Sequence, residues 1–271
     1  MPTPDLNARV AQRIEVAPGL IILRVVPEGW EFPPYEAGQF AVLGLPGSAP
    51  RYAFADQEDE AAEPDKLIKR AYSIASSSRI GEYLEFYITL VRSGRLTPRL
   101  FALETGDRLW LGRKATGMFQ LDQAPAEAHV VFVATGTGLA PYMSMLRTHL
   151  VCGGPRRFAV IHGARHSWDL GYRSELQTLA NLCSNFHYLP VVSRPEEETL
   201  PWTGRTGYVQ DCWRSGAVAE AWGAAPAPAD THVFLCGGPG MVEAMLEVLG
   251  EEGFREHRKA EAGQVHVERY W

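Results

Sequence analysis

The feature that most constrains the fold is a change of pattern partway along the 271-residue chain. Residues 1–123 contain short apolar runs rich in β-branched and aromatic side chains, separated by glycine and proline. After residues 123–128, which we interpret as a linker, apolar runs alternate instead with segments of helical spacing. Because each pattern requires its own arrangement of layers, we predict two domains, at residues 1–123 and 124–271.

The first domain is predicted to be an antiparallel β-barrel, since many short strands bounded by turn residues are typical of closed sheets. A short helix is expected at Leu96–Leu103, where Pro98 suits the first turn. The acidic segment Gln57–Asp65 predicts an exposed loop. The predicted strands are Gly19–Val26, Gln39–Leu45, Ala71–Ala75, Tyr83–Val91 and Asp107–Gly112.

The second domain is predicted to be an α/β domain with a doubly wound parallel sheet. Continuous apolar strands that alternate with helical patterns are typical of this class. The predicted strands are Val130–Ala134, Phe158–Ile161, Tyr188–Val192 and His232–Leu235.

Two strand–glycine–helix junctions, Ala134–Pro141 and Cys236–Met241, occur in the second domain. Glycine lets a backbone approach a phosphate closely, and a helix N-terminus offers N–H donors. One such turn is weak evidence, because a tight turn needs glycine in any case, whereas two in one domain favour a nucleotide site. Neither turn has the G-x-G-x-x-G pattern of the dinucleotide fingerprint.

Three arginines are predicted to follow strands: Arg165, Arg194 and Arg205. Each alone is equally well explained as a solvated loop residue. Together they favour a 2′-phosphorylated nucleotide, because the guanidinium fork matches the charge and geometry of a phosphate.

In the first domain, strand alternation over residues 70–76 places Arg70, Tyr72 and Ile74 on one face and Ser73 on the other. A cation beside an aromatic ring suits an aromatic ligand joined to a phosphate, although on these residues alone an ordinary exposed strand with an aromatic side chain is the favoured explanation. The last residues, Val265–Trp271, indicate either a final strand packed on the core or rings that cover a planar ligand.

Composition excludes several other classes of protein. The formal net charge of −6 favours neither a nucleic-acid nor an anionic-membrane surface, and no apolar run approaches the roughly 18 residues of a membrane span. The four scattered cysteines form no disulfide framework or iron–sulfur pattern, so a reduced, cytoplasmic protein is predicted. His162 and His166 lack the spacing of metal ligands, and no metal is expected.

Taken together, five motifs resemble the bacterial ferredoxin–NADP⁺ (flavodoxin) reductases in order and spacing, over essentially the whole chain. The loop Arg51–Lys69 is longer than in the compact bacterial members. The motifs are Arg70–Ser73, Gly94–Thr97, Thr135–Gly138, Cys236–Pro239 and Glu268–Trp271.

The resemblance implies FAD on the barrel and NADP(H) as substrate of the α/β domain. Arg70 would pair with the pyrophosphate, Tyr72 would stack on the isoalloxazine, and the Ser73 hydroxyl would approach flavin N5. Tyr270 would cover the opposite flavin face, with Trp271 near the adenine. The implied FAD contacts are Arg70, Ala71, Tyr72, Ser73, Tyr87, Ile88, Thr89, Arg95, Leu96, Thr97, Thr135, Tyr270 and Trp271.

The same resemblance assigns residues of the second domain to the nucleotide and to the chemistry. The implied NADP contacts are Gly136, Thr137, Gly138, Ala164, Arg165, Ser193, Arg194, Arg205, Cys236, Gly237, Gly238, Pro239 and Met241. The implied catalytic residues are Tyr72, Ser73, Cys236, Glu268 and Tyr270.

The implied activity is electron exchange between NADP(H) and a one-electron carrier, ferredoxin or flavodoxin, through FAD. Lys69, Arg92 and Arg95 are candidates for docking an acidic carrier. Two alternatives remain at this point. One is the reductase component of an oxygenase, and the other is a non-enzymatic nucleotide-binding regulatory module on the same scaffold.

Overall fold

The computed structural model describes residues 5–269. The chain forms two compact units. One comprises the residues up to Gln120 together with Ala140–Thr148, and the other comprises Leu121–Leu139 and the residues from His149 onward. The segment Ala140–Thr148 therefore packs with the first unit, although it follows the first strand of the second unit in the chain.

The first unit is a six-stranded antiparallel sheet with the order β4-β3-β6-β1-β2-β5. An antiparallel bridge between Ile74 and Phe86 joins the two ends of this order, so the sheet closes into the predicted barrel. Its elements are β1 (Ala8–Ala17), β2 (Leu20–Pro27), β3 (Phe40–Pro46), β4 (Leu67–Ser73), β5 (Leu84–Thr89), β6 (Arg108–Leu111), α1 (Thr97–Phe101) and α2 (Ala140–His149).

The barrel interior is filled by branched and aromatic side chains that alternate along the strands. Leu23, Leu43 and Phe86 are fully buried, and Leu100 from α1 joins the same core. Burial of this apolar surface is the main contribution that holds the strands in register.

The loop between β3 and β4 carries the acidic segment that the sequence predicts to be exposed. Most of it is exposed, but Glu58 turns inward to meet Arg99 of α1. Arg99 donates to both Glu58 oxygens, at 2.7 and 3.1 Å, and Arg51 donates to the same carboxylate at 3.0 Å. Hydrogen bonding to Arg99, the largest cause, lowers the pKa of Glu58, so the carboxylate stays charged.

The second unit is a six-stranded parallel sheet with the order β10-β9-β8-β7-β11-β12, which confirms the predicted α/β class. From β7 the chain first adds β8, β9 and β10 on one side and then adds β11 and β12 on the other side. The gap between β7 and β11 is therefore the switch point, where open α/β sheets bind ligands. Its elements are β7 (His129–Thr135), β8 (Phe158–Ala164), β9 (Phe186–Val192), β10 (Arg205–Thr206), β11 (Thr231–Cys236), β12 (Val265–Glu268), α3 (Arg173–Leu182), α4 (Val209–Arg214), α5 (Ala217–Trp222) and α6 (Pro239–Glu251).

The cysteines correct one expectation. Cys152 and Cys183 form a disulfide, so the prediction that all four cysteines are reduced is wrong for this pair. Cys212 and Cys236 are buried and unbridged. Within residues 5–269, no helix is long and apolar enough to cross a membrane.

Candidate functional site

On the barrel, the predicted flavin residues lie at the end of β4. Arg70 is exposed, and its guanidinium donates to the Lys69 carbonyl oxygen at 2.7 Å. Tyr72 and Ser73 are half-buried. Among residues 5–269, the buried Tyr72 phenol oxygen has no hydrogen-bond partner. Burial raises the pKa of Tyr72, so its hydroxyl remains protonated and can donate.

These residues fit a flavin nucleotide. A buried polar atom without a partner costs free energy, which a ligand with acceptor atoms would recover. FAD offers such acceptors on its ribityl and pyrophosphate groups, its flat isoalloxazine can stack on Tyr72, and its pyrophosphate suits the exposed Arg70 cation. The orphaned phenol therefore supports FAD at this strand.

The other predicted barrel contacts occupy β5 and the turn before α1. Tyr87 and Ile88 are buried, whereas Thr89 is exposed. Leu96 is buried at the start of α1, and Arg95 beside it is exposed. The Thr97 hydroxyl accepts from the Val91 N–H and donates to the Val91 carbonyl, each at 3.1 Å, so this hydroxyl holds the turn together.

In the second unit, the two glycine turns interlock at the carboxyl ends of β7 and β11, which are neighbouring strands. A Cβ on Gly138 would lie 2.1 Å from the Cys236 carbonyl oxygen, and one on Gly237 would lie 2.3 Å from the Thr135 hydroxyl. Glycine is required at both positions because another backbone or side chain fills the space. The Gly238 N–H also donates to the Thr135 hydroxyl at 3.3 Å.

Cys236 and Glu268 face each other across the parallel pair β11 and β12. The buried Cys236 thiol donates to a Glu268 oxygen at 3.4 Å. Burial, reinforced by the Glu268 carboxylate, raises the pKa of Cys236 well above its ordinary value. The sulfur is therefore a neutral thiol. The predicted contacts Tyr270 and Trp271 lie outside the described residues.

The remaining predicted nucleotide contacts surround the same glycine turns. Gly136 and Thr137, in the first turn, are half-buried. Gly238 and Pro239 are exposed at the start of α6, and Met241 in its first turn is half-buried. The start of α6 is therefore the most exposed part of this edge among these residues.

The structure brings the three predicted phosphate arginines to the carboxyl edge of the parallel sheet. Arg165 directly follows β8 and Arg194 follows β9. The Arg194 N–H donates to the Arg165 carbonyl at 2.9 Å, just as the Ser193 N–H donates to Ala164 at 3.0 Å. The sequence predicts that Arg205 follows a strand, but in the structure Arg205 is the first residue of β10. There it pairs with Val191, close to the end of β9.

Each of these arginines is paired with a carboxylate that the sequence analysis did not identify. Arg165 Nε lies 3.9 Å from Asp169, and Arg194 Nη1 lies 3.3 Å from Glu197. Arg205 is paired with Glu220 in the same way, at 2.7 Å.

His166 is a further residue of this edge, which the sequence analysis considered only as a metal ligand. Its Nε2 lies 2.8 Å from Glu197 and its Nδ1 lies 3.2 Å from Asp169. Its ring stacks on Trp168, with 4.4 Å between centroids. The hydrogen bond to Glu197, and to a smaller extent that to Asp169, raises the pKa of His166. Within the described residues, no group of histidine, cysteine and acidic side chains could hold a metal ion.

Comparison with known proteins identifies the family. Residues 132–247 match the model of the oxidoreductase NAD-binding domain. The ferredoxin–NADP reductase B of Sorangium cellulosum is 36% identical over 242 residues, covering 87% of this chain and 85% of that protein. The chain belongs to the ferredoxin–NADP reductase family.

Other members of the ferredoxin–NADP reductase family agree in sequence and in fold. The ferredoxin–NADP reductase of Azotobacter vinelandii is 32% identical over 246 residues, with 87% and 86% of the two chains covered. The reductase of Neisseria gonorrhoeae, solved with bound FAD and NADP, superposes with a TM-score of 0.76 at 23% identity, over 98% of both chains. The family resemblance expected from the motifs is confirmed.

Proposed function

We propose that this chain is a flavoenzyme that exchanges electrons between NADP(H) and a one-electron protein carrier, ferredoxin or flavodoxin. The observation that carries the proposal is the buried Tyr72 phenol, a donor that finds no acceptor among residues 5–269, on the strand that also presents Arg70. Family membership supports the same activity and favours it over the oxygenase-component and regulatory alternatives.

The barrel residues would hold the cofactor. Arg70 would bind the pyrophosphate with its exposed guanidinium, Tyr72 would stack on the ring and donate its hydroxyl, and Ser73 would lie near the reactive edge. When FAD is bound, it can accept a hydride and release the electrons one at a time, which amino-acid side chains cannot do.

The α/β unit would bind and orient NADPH. Backbone N–H groups of the two glycine turns suit the nucleotide pyrophosphate, because phosphates favour such donors at helix and turn starts. Arg165, Arg194 and Arg205 would bind the 2′-phosphate. The neutral Cys236 thiol keeps its proton beside Glu268, so we assign it a packing and hydrogen-bonding role toward the nicotinamide rather than a nucleophilic one.

The carrier would dock on the barrel through exposed cations. Lys69 and Arg95 are exposed, and Arg92 is exposed while paired with Asp56 at 3.2 Å. Acidic carriers complement such a surface, which raises the rate of encounter at low salt. We also propose the cytoplasm as the location, on the basis of the bacterial relatives and not of the cysteines, since Cys152 and Cys183 form a disulfide.

The test is anaerobic titration of the FAD-loaded protein with NADPH and with NADH, followed at the visible flavin band. We expect bleaching by NADPH at far lower concentration than by NADH. Arg194→Ala combined with Arg205→Ala should raise the NADPH requirement about tenfold or more and leave that for NADH unchanged. A protein that stays colourless with excess FAD would refute the proposal.

The acceptor is tested separately by mixing the reduced protein with purified ferredoxin, flavodoxin or an oxygenase component. Fast electron transfer to ferredoxin or flavodoxin supports the proposed activity. Exclusive transfer to the oxygenase component would instead establish the alternative. Charge reversal at the exposed Lys69, which is not among the implied FAD contacts, should slow transfer to the carrier without changing reduction by NADPH.

A further inference from the structure

We propose that His166 is a positioning residue that holds Arg165 and Arg194 in the orientation that selects a 2′-phosphorylated nucleotide. This inference rests on the proposed function, because it concerns how the same edge recognises NADP(H). It assigns a role to a histidine, an aspartate and a glutamate that the motifs leave unused.

Five side chains form one continuous ionic row, called the edge chain: Arg165, Asp169, His166, Glu197 and Arg194. One Asp169 oxygen lies 3.2 Å from His166 Nδ1 and 3.9 Å from Arg165 Nε. The two Glu197 oxygens lie 2.8 Å from His166 Nε2 and 3.3 Å from Arg194 Nη1. His166 is therefore the central link between the two arginines.

The contacts of His166 determine its charge. Ionised carboxylates only accept hydrogen bonds, so both ring nitrogens must donate, which only the imidazolium form can do. The direction of the His166 pKa shift agrees with this. The edge chain then contains three cations and two anions, and its two guanidinium groups suit a phosphate dianion in charge and in geometry.

The surroundings of His166 restrict its movement. The ring is stacked on Trp168 at an angle of 11°. The next residue, Ser167, donates its N–H and its hydroxyl to Glu198 at 2.5 and 2.7 Å, so the loops after β8 and β9 are joined. The imidazolium is thus held at both nitrogens and on one face.

A fixed imidazolium affects how the arginines meet a ligand. It holds Asp169 and Glu197 on its own two nitrogens, while Arg165 touches this row through Nε and Arg194 through Nη1. A guanidinium has five donors, so each arginine retains N–H groups for a phosphate. Because both side chains are already oriented, less rotamer entropy is lost when the phosphate binds.

The experiment measures binding of 2′,5′-ADP and of 5′-AMP to the FAD-loaded protein by calorimetry. We expect His166→Gln to weaken 2′,5′-ADP binding about tenfold and to leave 5′-AMP binding unchanged. In steady-state assays the KM for NADPH should rise and that for NADH should not. The matched control is His187→Gln, at the opposite end of β9 from Arg194. This variant should change neither 2′,5′-ADP binding nor the KM for NADPH.

A second variant separates positioning from simple electrostatics. Glu197→Gln removes a negative charge near the phosphate, so long-range attraction alone predicts tighter 2′,5′-ADP binding. The edge chain predicts weaker binding, because the link between His166 and Arg194 is lost. Tighter binding in this variant would overturn the proposal, and the exposed position of Glu197 keeps the test available if the histidine variant fails to fold.

Two results for the histidine variant would also overturn the proposal: unchanged 2′,5′-ADP binding, or an equal loss for both nucleotides. The unmodified protein provides the separate check on NADP(H) recognition. If it binds 2′,5′-ADP no better than 5′-AMP, the proposed NADP(H) specificity fails. If it prefers 2′,5′-ADP and His166→Gln keeps that preference, only the role of His166 fails.

Discussion

The two units of the molecule each contain a cluster of ionic side chains, but the clusters differ in burial. In the barrel, Glu85 has a side chain only 1% exposed, and its oxygens lie 2.7 Å from Arg24 and 2.6 Å from Arg147. In the parallel sheet, the side chains of Glu197 and Arg194 in the edge chain are 48% and 49% exposed.

The difference shows that buried ionic side chains stabilise the fold, whereas exposed ones are available to bind a ligand. The barrel cluster is complete in itself and holds the segment after β4: Arg147 also donates to the Ala75 carbonyl at 2.9 Å, and Ser144 donates to Ser76 at 2.7 Å. Water competes with the Arg194–Glu197 contact of the edge chain, so this pair adds little to stability, and the exposed Arg194 guanidinium remains accessible to a ligand.

The largest expected effect comes from removing the buried carboxylate. Glu85→Ala leaves Arg24 and Arg147 without their shared anion, and we expect the free energy of unfolding to fall by about 3 kcal/mol. Urea unfolding measures this change. The matched control is Glu15→Ala, which removes an exposed partner of Arg13 in the same barrel and should cost less than about 1 kcal/mol. Equal losses in the two variants would remove the distinction by burial.

A second prediction extends the comparison to two histidines of the same unit, His162 in β8 and His166 in the edge chain. His162 is fully buried and contacts the Tyr188 hydroxyl at 3.1 Å, and burial lowers its pKa to about 3. The unfolded chain therefore binds a proton more readily below about pH 6.5. The contribution of neutral His162 to the free energy of unfolding is complete above about pH 6.5 and is lost as the pH falls toward the folded pKa of about 3. The pKa of His166 is raised in the folded protein, so its contribution to stability is lost as the pH rises.

The measurement is urea unfolding at pH 7 and at pH 5. Between pH 7 and pH 5 we expect His162 to lower the free energy of unfolding by about 2 kcal/mol. His162→Gln should remove this part of the pH dependence. His266, whose pKa burial also lowers to about 3, supplies a remaining slope in the variant. An unchanged pH dependence after substitution would show that His162 is not the responsible group.

The smallest expected effect is that of Glu197→Ala. Because both members of its pair with Arg194 are about half exposed, the free energy of unfolding should change far less than in Glu85→Ala. Urea unfolding at low and high salt provides the check, and added salt should shrink the difference further. A loss as large as that of Glu85→Ala would mean that the edge chain is structural.

Much of the fold can be predicted from the local sequence pattern. The strands that break this pattern show why the remaining parts cannot. The barrel, the parallel sheet and both glycine turns are confirmed, since period and turn residues determine them. Strand β1 was missed because register shifts between Val10 and Gln12, and between Glu15 and Ala17, break its alternation. Glu85 gave no signal of burial because the arginines that neutralise it come from β2 and α2, far away in sequence.

The site shows the same division. The position of Arg165 and Arg194 at one sheet edge could be predicted because they come directly after two strands that pair in parallel. The edge chain was missed because its central contact joins His166 to Glu197, 31 residues away, in a different loop. The cysteine pair was missed for a similar reason, since Cys152 and Cys183 are 31 residues apart and share no motif.

The anchoring of the β3–β4 loop has a practical consequence for engineering. A forked contact between Glu58 and Arg99 fixes the loop to the barrel, while residues 59–61 beyond it are exposed. A peptide tag or a fluorophore attached between Asp59 and Ala61 should therefore be accommodated, because loop closure cost grows only slowly with length. Trimming the loop should be tolerated as long as the Glu58 carboxylate is retained.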